Sequence, residues 1–206
     1  MSKASSKKSE SKSKTSSKGL LIILSAPSGC GKTTIVDRLL KRHPDWIRSV
    51  SATTREPRPG EKDGVDYFFV SAKAFKQMEA DGELLESAMV FDHSYGTPKK
   101  FVMNALGDGK KVILAIDVQG ARKVKKTLGF KEALLSLFIL PPSVKVLRER
   151  LEGRKTESAE EIQRRIEMAQ EEIKEAGSYD LALVNQNPEQ TIPEIEQAIE
   201  GFFKEK

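Results

Sequence analysis

The segment that decides the fold is Leu20-Leu21-Ile22-Ile23-Leu24-Ser25-Ala26-Pro27-Ser28-Gly29-Cys30-Gly31-Lys32-Thr33. It begins with a continuous apolar run of strand length, which is typical of a strand covered on both faces in a parallel sheet. A glycine-rich turn follows, and the apolar residues beyond it fall on one face of a helix that ends before Pro44. This part of the sequence predicts a buried strand, a tight turn and an amphipathic helix in succession.

The turn has the spacing of a Walker A phosphate-binding loop, with Ala26 at the place of the usual first glycine. Gly29 and Gly31 let backbone N–H groups turn toward phosphate oxygens without a Cβ in the way. The helix N-terminus adds a partial positive charge, Lys32 is predicted to reach the β- and γ-phosphates, and Thr33 is predicted to offer its hydroxyl to Mg²⁺. A glycine-rich turn without a ligand is the alternative. The residues expected at the triphosphate are Ala26, Pro27, Ser28, Gly29, Cys30, Gly31, Lys32, Thr33 and Thr34.

The rest of the chain alternates apolar strands with amphipathic helices, which predicts an α/β fold with a parallel sheet core and helices on both faces. Further strands are predicted at residues 67–70, 83–91, 112–116, 134–140 and 181–184. Further helices are predicted at residues 72–82, 98–106, 120 onward, 141–151, 159–175 and 193 onward. Residues 45–66 lack apolar periodicity and are rich in Thr, Arg, Pro and Gly, so we expect a long functional loop region there.

The strand predicted at residues 112–116 ends at Asp117, as the metal-side strand of a phosphate-transfer site does. Apolar strands that end in an acid are common, so Asp117 indicates a metal site only in combination with the glycine-rich loop.

The distribution of charge along the chain limits which partners we expect. Residues 1–18 contain six lysines and one glutamate, so they carry the whole net charge of +5, and residues 19–206 sum to zero. We expect residues 1–18 to be a disordered Ser/Lys-rich tail, with non-specific attraction to polyanions as the alternative. The globular part has no basic excess, so we expect no nucleic-acid partner except non-specifically through this tail.

Cysteine use and hydropathy indicate the compartment. The single cysteine, Cys30, excludes an internal disulfide and suits a reducing compartment, and with two histidines the chain is not expected to hold structural zinc. The longest apolar runs have strand length, so no membrane helix is predicted. The tail lacks the apolar region of a secretory signal. We expect a cytoplasmic protein.

A second group of motifs resembles the guanylate kinases. The run Ser-Ala-Thr-Thr-Arg-Glu-Pro-Arg-Pro-Gly-Glu at residues 51–61, followed by Gly64 and by Asp-Tyr-Phe-Phe at residues 66–69, looks like their GMP-binding signature. The similarity continues through Glu86, Tyr-Gly-Thr at 95–97, Ile-Asp-Val-Gln-Gly at 116–120, Pro-Pro-Ser at 141–143 and Glu-Gly-Arg at 152–154. It covers essentially all of residues 19–206.

The resemblance implies a P-loop NTPase fold. It also implies an enzyme that phosphorylates GMP, and dGMP as well, with ATP as the phosphoryl donor and Mg²⁺ as the cofactor. It further implies a core of residues 19–50, 98–150 and 176–206, an inserted GMP-binding subdomain at residues 51–97 and a mobile lid at residues 151–175. We expect a monomer or a weak homodimer.

The resemblance also implies a role for individual residues. Two guanidinium forks and two phenols suit a dianionic phosphate, and a carboxylate can accept from guanine N1–H and N2–H₂ together, which adenine cannot offer. The residues that would hold the GMP phosphate are Arg55, Arg58, Tyr67 and Tyr95. Those that would read guanine are Glu86, Ser51 and Thr97. Asp117 would also contact GMP, and Asn185 would bind ATP. The catalytic set would be Lys32, Arg55, Asp117, Arg154 and Arg165, the last two in a lid that closes over the ATP phosphates. Arg164 is a neighbouring candidate, for which ordinary surface charge is the better interpretation.

Three positions depart from the family pattern. Ala26 replaces the first loop glycine, Ala115 stands where relatives commonly carry a second acid, and Gln186 stands where an aspartate is frequent. Because Ala115 removes a carboxylate, we expect Mg²⁺ to rely on Thr33, phosphate oxygens and water, with Asp117 as a further candidate. Two alternatives remain: a non-catalytic guanylate-kinase-like binding module, which typically loses the loop lysine, and a P-loop kinase with a different phosphorylated acceptor.

Overall fold

The computed structural model describes residues 19–90, 92–126, 133–153 and 158–204. The predicted tail and Arg154 lie outside these residues. The strands are β1 (Leu20–Ser25), β2 (Ile47–Arg48), β3 (Ala52–Thr53), β4 (Phe68–Phe69), β5 (Leu84–Val90), β6 (His93–Pro98), β7 (Lys111–Leu114), β8 (Leu134–Leu140) and β9 (Leu181–Val184). The helices are α1 (Lys32–Arg42), α2 (Ala72–Ala80), α3 (Lys99–Gly107), α4 (Val118–Lys126), α5 (Val144–Glu152), α6 (Ala159–Lys174) and α7 (Pro188–Lys204), with a 3₁₀ turn at Glu175–Ser178.

The main sheet has five parallel strands in the order β2-β7-β1-β8-β9. All six residues of the central strand β1 are buried, as the apolar run predicted. Because side chains alternate along a strand, Leu20 and Ile22 pack into one apolar cluster with residues of α1, α5, α6 and α7. Leu21 and Ile23 pack into the other, with residues of α3 and α4. The predicted α/β fold with helices on both faces is confirmed.

A second sheet lies between β2 and α3 in the chain, with the strand order β4-β3-β6-β5. Strands β3 and β4 are parallel, whereas β6 is antiparallel to both β3 and β5. Phe75 of α2 is 2% exposed, and its ring is buried close to Gly96 of β6.

The sequence did not predict β2, β3 or β6. The first two contain only two residues each, which is too short for a periodic signal, and they lie within the region expected to be a loop. Strand β6 reads His-Ser-Tyr-Gly-Thr-Pro, so no apolar pattern marks it, and pairing with β3 and β5 defines it instead.

Serine caps fix three helix starts. Ser71 Oγ accepts from Ala74 N at 3.2 Å, Ser143 Oγ accepts from Val146 N at 3.2 Å, and Ser158 forms a capping box with Glu161 at the start of α6.

The last helix starts earlier than predicted, at Pro188 instead of Pro193, which lies inside it. Asn187 Oδ1 accepts from Gln190 N at 3.0 Å and so caps the earlier start. Proline at the first helical position lacks only an N–H that would have no helical partner there.

Among the described residues, no helix combines the length and the apolar content that a membrane span requires.

Two valines of the main sheet give a matched test of where its stability lies. Val112 of β7 is 0% exposed and Val184 of the edge strand β9 is 46% exposed. We expect Val112→Ala to lower the free energy of unfolding by ~2 kcal/mol, from lost burial and a residual cavity, and Val184→Ala to change it by less than ~0.5 kcal/mol. Urea denaturation of both variants measures the difference, and equal losses would contradict this packing.

Candidate active site

A cavity of about 500 Å³ opens between the second sheet, helix α6 and the segments that follow β1 and β7. Strands β1 and β7 are parallel neighbours, so their carboxyl ends deliver the loop after Ser25 and the segment 115–117 to the same edge. Most of the predicted site residues line this cavity: Ala26, Pro27, Ser28, Gly29, Gly31, Lys32, Thr33, Thr34, Ser51, Arg55, Arg58, Tyr67, Glu86, Tyr95, Asp117 and Arg165.

The glycine-rich loop has the backbone shape that an anion site needs. Gly29 and Gly31 have φ values of 92° and 86°, in the left-handed region that glycine adopts readily. Gly31 is the N-cap of α1 and contributes no capping side chain, so none of its own atoms blocks the N–H groups of the first helical turn. The loop can therefore present these N–H groups to a phosphate.

Lys32 projects from the first residue of α1 into the cavity, where its ammonium donates to Ile116 O at 3.1 Å. Burial lowers the pKa of Lys32, whereas the negative charges of Asp117 and Glu172 oppose that shift. The Lys32 side chain therefore reaches the segment that follows β7. The carboxylates of Asp117 and Glu172 are close enough to favour its charged form.

Asn185 and Cys30 lie behind the loop. Asn185 is 2% exposed, and its Nδ2 donates to Cys30 O at 2.9 Å while its Oδ1 accepts from Thr191 Oγ1 at 3.1 Å. The Cys30 side chain is completely buried. The geometry gives Asn185 the position of a support for the loop backbone, not of a group facing the cavity.

On the opposite wall, Arg55 is held by several partners. Its Nη2 donates to both carboxylate oxygens of Glu61 at 2.9 Å, and its Nε donates to Tyr95 Oη at 3.2 Å. The guanidinium also lies over the ring of Tyr67, 5.4 Å from its centroid. Arg58 is exposed at the rim of the cavity, next to this group.

Glu86 is a buried carboxylate, only 7% exposed. It pairs in register with Thr97 across β5 and β6, and Thr97 Oγ1 donates to Glu86 Oε1 at 2.7 Å. Burial raises the pKa of Glu86 to about 7; the hydrogen bond from Thr97 opposes the rise and the nearby Asp117 adds to it. Thr97 itself is fully buried and reaches the cavity only through Glu86.

Helix α6 presents one stripe to the cavity, made of the charged residues Glu161, Arg165 and Glu172 together with Met168. These residues recur at helical spacing, and the adjacent stripe of Ile162, Ile166 and Ala169, shifted by one residue around the helix, packs in the core. Arg165 Nη1 donates to Ser28 Oγ at 2.7 Å, which joins the helix to the glycine-rich loop. Arg164 also lines the cavity, at its exposed rim, although the sequence favoured ordinary surface charge for it.

Two acids of the site, Glu61 and Glu172, were not predicted from the sequence. Glu61 belongs to the signature at residues 51–61, but its ion pair with Arg55 depends on how the loop folds and has no local sequence signal. Glu172 lines the cavity, and burial raises its pKa to about 7 against the opposing effect of Lys32. Its spacing of seven residues from Arg165 is the signal that could have identified it, because such residues share a helix face.

No group of three or more His, Cys, Asp or Glu residues suited to a metal occurs in the part of the chain that the structure describes. Thr33 and Asp117 both line the cavity and supply hydroxyl and carboxylate oxygens, the ligand type that Mg²⁺ prefers. A magnesium ion at this place would need substrate oxygens and water to complete its shell.

Comparisons with known proteins agree with one another. The family model described as guanylate kinase matches residues 18–202. The curated guanylate kinase of Nostoc sp. (strain PCC 7120) is 48% identical over 183 residues, which cover 89% of this chain and 90% of the relative. The guanylate kinase of Wolbachia sp. subsp. Brugia malayi is 45% identical over 182 residues, covering 88% and 92%. The crystal structure of guanylate kinase from Anaplasma phagocytophilum superposes with a TM-score of 0.75 at 34% identity, covering 90% of this chain and 86% of that one.

The position of Asn185 leads to a test of the loop. We expect Asn185→Ala to lower the free energy of unfolding by roughly 1–3 kcal/mol, because the two buried hydrogen bonds of the Asn185 side chain are lost. We also expect weaker nucleotide binding, measured as a several-fold higher Kd for ATP. Asn104→Ala, at an exposed position of α3, is the control and should change neither quantity. An unchanged Kd for ATP in Asn185→Ala would contradict the supporting role.

Proposed function

Because the chain belongs to the guanylate kinase family and transfers a phosphoryl group from ATP to GMP, we propose that the two walls of its cavity hold these two substrates. The observation that carries this proposal is that Lys32, at the start of α1 after the main sheet's central strand, and Glu86, on β5 of the second sheet, line one cavity. A phosphate-binding loop on one wall and a buried carboxylate with an arginine on the other match a triphosphate donor and a purine monophosphate acceptor.

The donor is assigned to the loop of residues 26–34. Backbone N–H groups and the N-terminus of α1 attract the phosphates, and Lys32 exchanges its bond to Ile116 O for phosphate oxygens. Thr33, together with Asp117, is the candidate ligand for Mg²⁺, which when bound neutralises charge on the phosphate oxygens. Ala115 leaves Asp117 as the acid of the segment after β7.

The acceptor is assigned to the second sheet. Arg55, Arg58, Tyr67 and Tyr95 would bind the GMP phosphate. Both carboxylate oxygens of Glu61 accept from Arg55 Nη2, which helps to hold the guanidinium in place. Glu86 in its charged form would accept from guanine N1–H and N2–H₂, with Ser51 donating to O6. Adenine offers neither an N1–H nor a 2-amino group, so it would leave the Glu86 carboxylate poorly paired, and the site should discriminate strongly against it.

Phosphoryl transfer itself requires positioning and charge neutralisation. Arg165, joined to Ser28 of the loop, is suited to stabilise charge on the transferring group, and Arg154 is the second arginine that we assign to this task. Closure of residues 151–175 over the cavity would exclude water and so suppress hydrolysis of ATP.

The remaining assignments are also part of the proposal: the core at residues 19–50, 98–150 and 176–206, the GMP-binding subdomain at residues 51–97, and the tail at residues 1–18. A buried single cysteine is consistent with the expected cytoplasmic location.

The proposal is tested with the four common nucleoside monophosphates, Mg²⁺-ATP and a coupled assay of ADP formation. We expect activity with GMP and very little with AMP, CMP or UMP. Glu86→Ala should lower kcat/KM for GMP by about 100-fold or more and remove the preference over AMP, whereas Lys32→Ala should lower kcat with every acceptor by ~10²–10³. Glu83→Ala, an exposed acid beside the same strand, is the control. Retained selectivity in Glu86→Ala would refute the guanine-reading role.

A dependence on pH follows from the burial of Glu86, whose pKa is raised to about 7. The charged form is the acceptor for guanine, and the group loses its charge as the pH falls through that pKa. We therefore expect the KM for GMP to rise between pH 8 and pH 6, about tenfold per pH unit once the group is mostly protonated. Glu86→Gln cannot titrate at this position. Its pH profile therefore measures the part of the change in KM that comes from the GMP phosphate and from Glu172. Equal pH profiles for the two proteins would contradict this origin.

A further inference from the structure

Helix α4 closely approaches the carboxylates of Glu86 and Asp117. A Cβ placed on Gly120 would lie 2.6 Å from Glu86 Oε2 and 3.1 Å from Glu86 Cδ. The same Cβ would lie 3.3 Å from Asp117 Oδ1, to which Gly120 N donates at 2.8 Å. The backbone of Gly120 thus touches both carboxylates, and a single methyl group would overlap the Glu86 carboxylate.

Backbone conformation does not explain the glycine at this place. Gly120 is the third residue of α4, and it is not among the described glycines with a positive φ. In a helix, alanine is more favourable than glycine by about 1 kcal/mol. The absence of a side chain matters here because of the neighbouring carboxylate.

The Glu86 carboxylate cannot withdraw without losing another contact. Its Oε1 accepts from Thr97 Oγ1, so one oxygen is fixed on β6 while the other lies against α4. Two contacts flank this point and fix β5 to α4: Gln119 Nε2 donates to Met89 O at 3.1 Å, and Lys123 Nζ donates to Ser87 O. A Cβ at residue 120 would therefore have to displace the carboxylate or separate the strand from the helix.

We propose that Gly120 is a positioning residue for guanine selectivity: its lack of a side chain lets α4 hold the Glu86 carboxylate in the orientation that faces both donors of the guanine edge. This inference rests on the proposed role of Glu86. Two hydrogen bonds to adjacent donors need both oxygens in one plane with the base, so a shift of about 1 Å breaks the pair. Gly120 also orients Asp117 through its N–H, which places the two acids side by side without a bond between them.

The first experiment compares Gly120→Ala with the wild-type enzyme in steady-state kinetics. We expect kcat/KM for GMP to fall by about 10–100-fold, mainly through KM, and the GMP-over-AMP ratio to fall with it, while the KM for ATP stays within about twofold. Gly201→Ala is the matched control, because Gly201 also lies in a helix and a Cβ there meets nothing within 4 Å. The control should keep its kinetics and its Tm. Unchanged GMP selectivity in Gly120→Ala would overturn the proposal.

A double variant separates crowding from a general loss of structure. Aspartate is one methylene shorter than glutamate, so Glu86→Asp makes room for the new Cβ. We expect Glu86→Asp alone to weaken GMP use, but Glu86→Asp in the Gly120→Ala background to recover at least part of the lost kcat/KM for GMP and of any lost Tm. Additive losses in the double variant, in kinetics or in Tm, would overturn the proposal even where Gly120→Ala is poorly folded.

The two proposals fail in different ways. If Glu86→Ala retains GMP-over-AMP selectivity, the guanine-reading role of Glu86 is wrong and the inference about Gly120 falls with it. If Glu86→Ala loses selectivity while Gly120→Ala keeps it, the role of Glu86 stands and only the inference about Gly120 is wrong.

Discussion

Charged groups withdrawn from water require partners, and this requirement organises the cleft. Lys32 gives up part of its hydration at the start of α1 and is compensated by a backbone carbonyl and by the fields of Asp117 and Glu172. Glu86 gives up its hydration in the second sheet and is compensated by Thr97, with Lys123 also lowering its pKa. For Lys32 and for Glu86, the favourable free energy of these contacts offsets the unfavourable free energy of desolvation only in part. A substrate that brings the complementary charge or donors completes the compensation, which is the physical basis for binding there.

The fold brings these groups together by strand order. Strands β1 and β7 are neighbours, so the phosphate loop and Asp117 leave the main sheet at the same edge. The negative charge of Asp117 acts on both sides, since it opposes the lowering of the Lys32 pKa and adds to the rise of the Glu86 pKa. Helix α4 follows directly and contacts β5 of the second sheet through Gln119, and Gly120 lies close to Glu86 there. The two walls of the cavity are thus connected through residues 117–120.

Sequence alone predicted the parts of this arrangement that depend on burial or on a rigid spacing. The apolar runs at residues 134–140 and 181–184 coincide with β8 and β9, and the loop before α1 follows from its glycine spacing. Strand β6 was not predicted because its side chains are mostly polar and line or support the cleft. The periodicity of apolar residues detects only strands that bury apolar side chains. The pairing of Glu61 with Arg55 and the approach of Gly120 to Glu86 depend on distances across the second sheet and helix α4, which no local pattern contains. The roles assigned to the individual site residues are still predictions.

The most direct test is a crystal structure of the protein with GMP, Mg²⁺ and a non-hydrolysable ATP analogue bound together. The account predicts guanine N1 and N2 within hydrogen-bonding distance of the Glu86 carboxylate, the triphosphate on the loop of residues 26–34, and the GMP phosphate between Arg55 and the γ-phosphate. Guanine bound away from Glu86, or a GMP phosphate that does not face the triphosphate on Lys32, would contradict it.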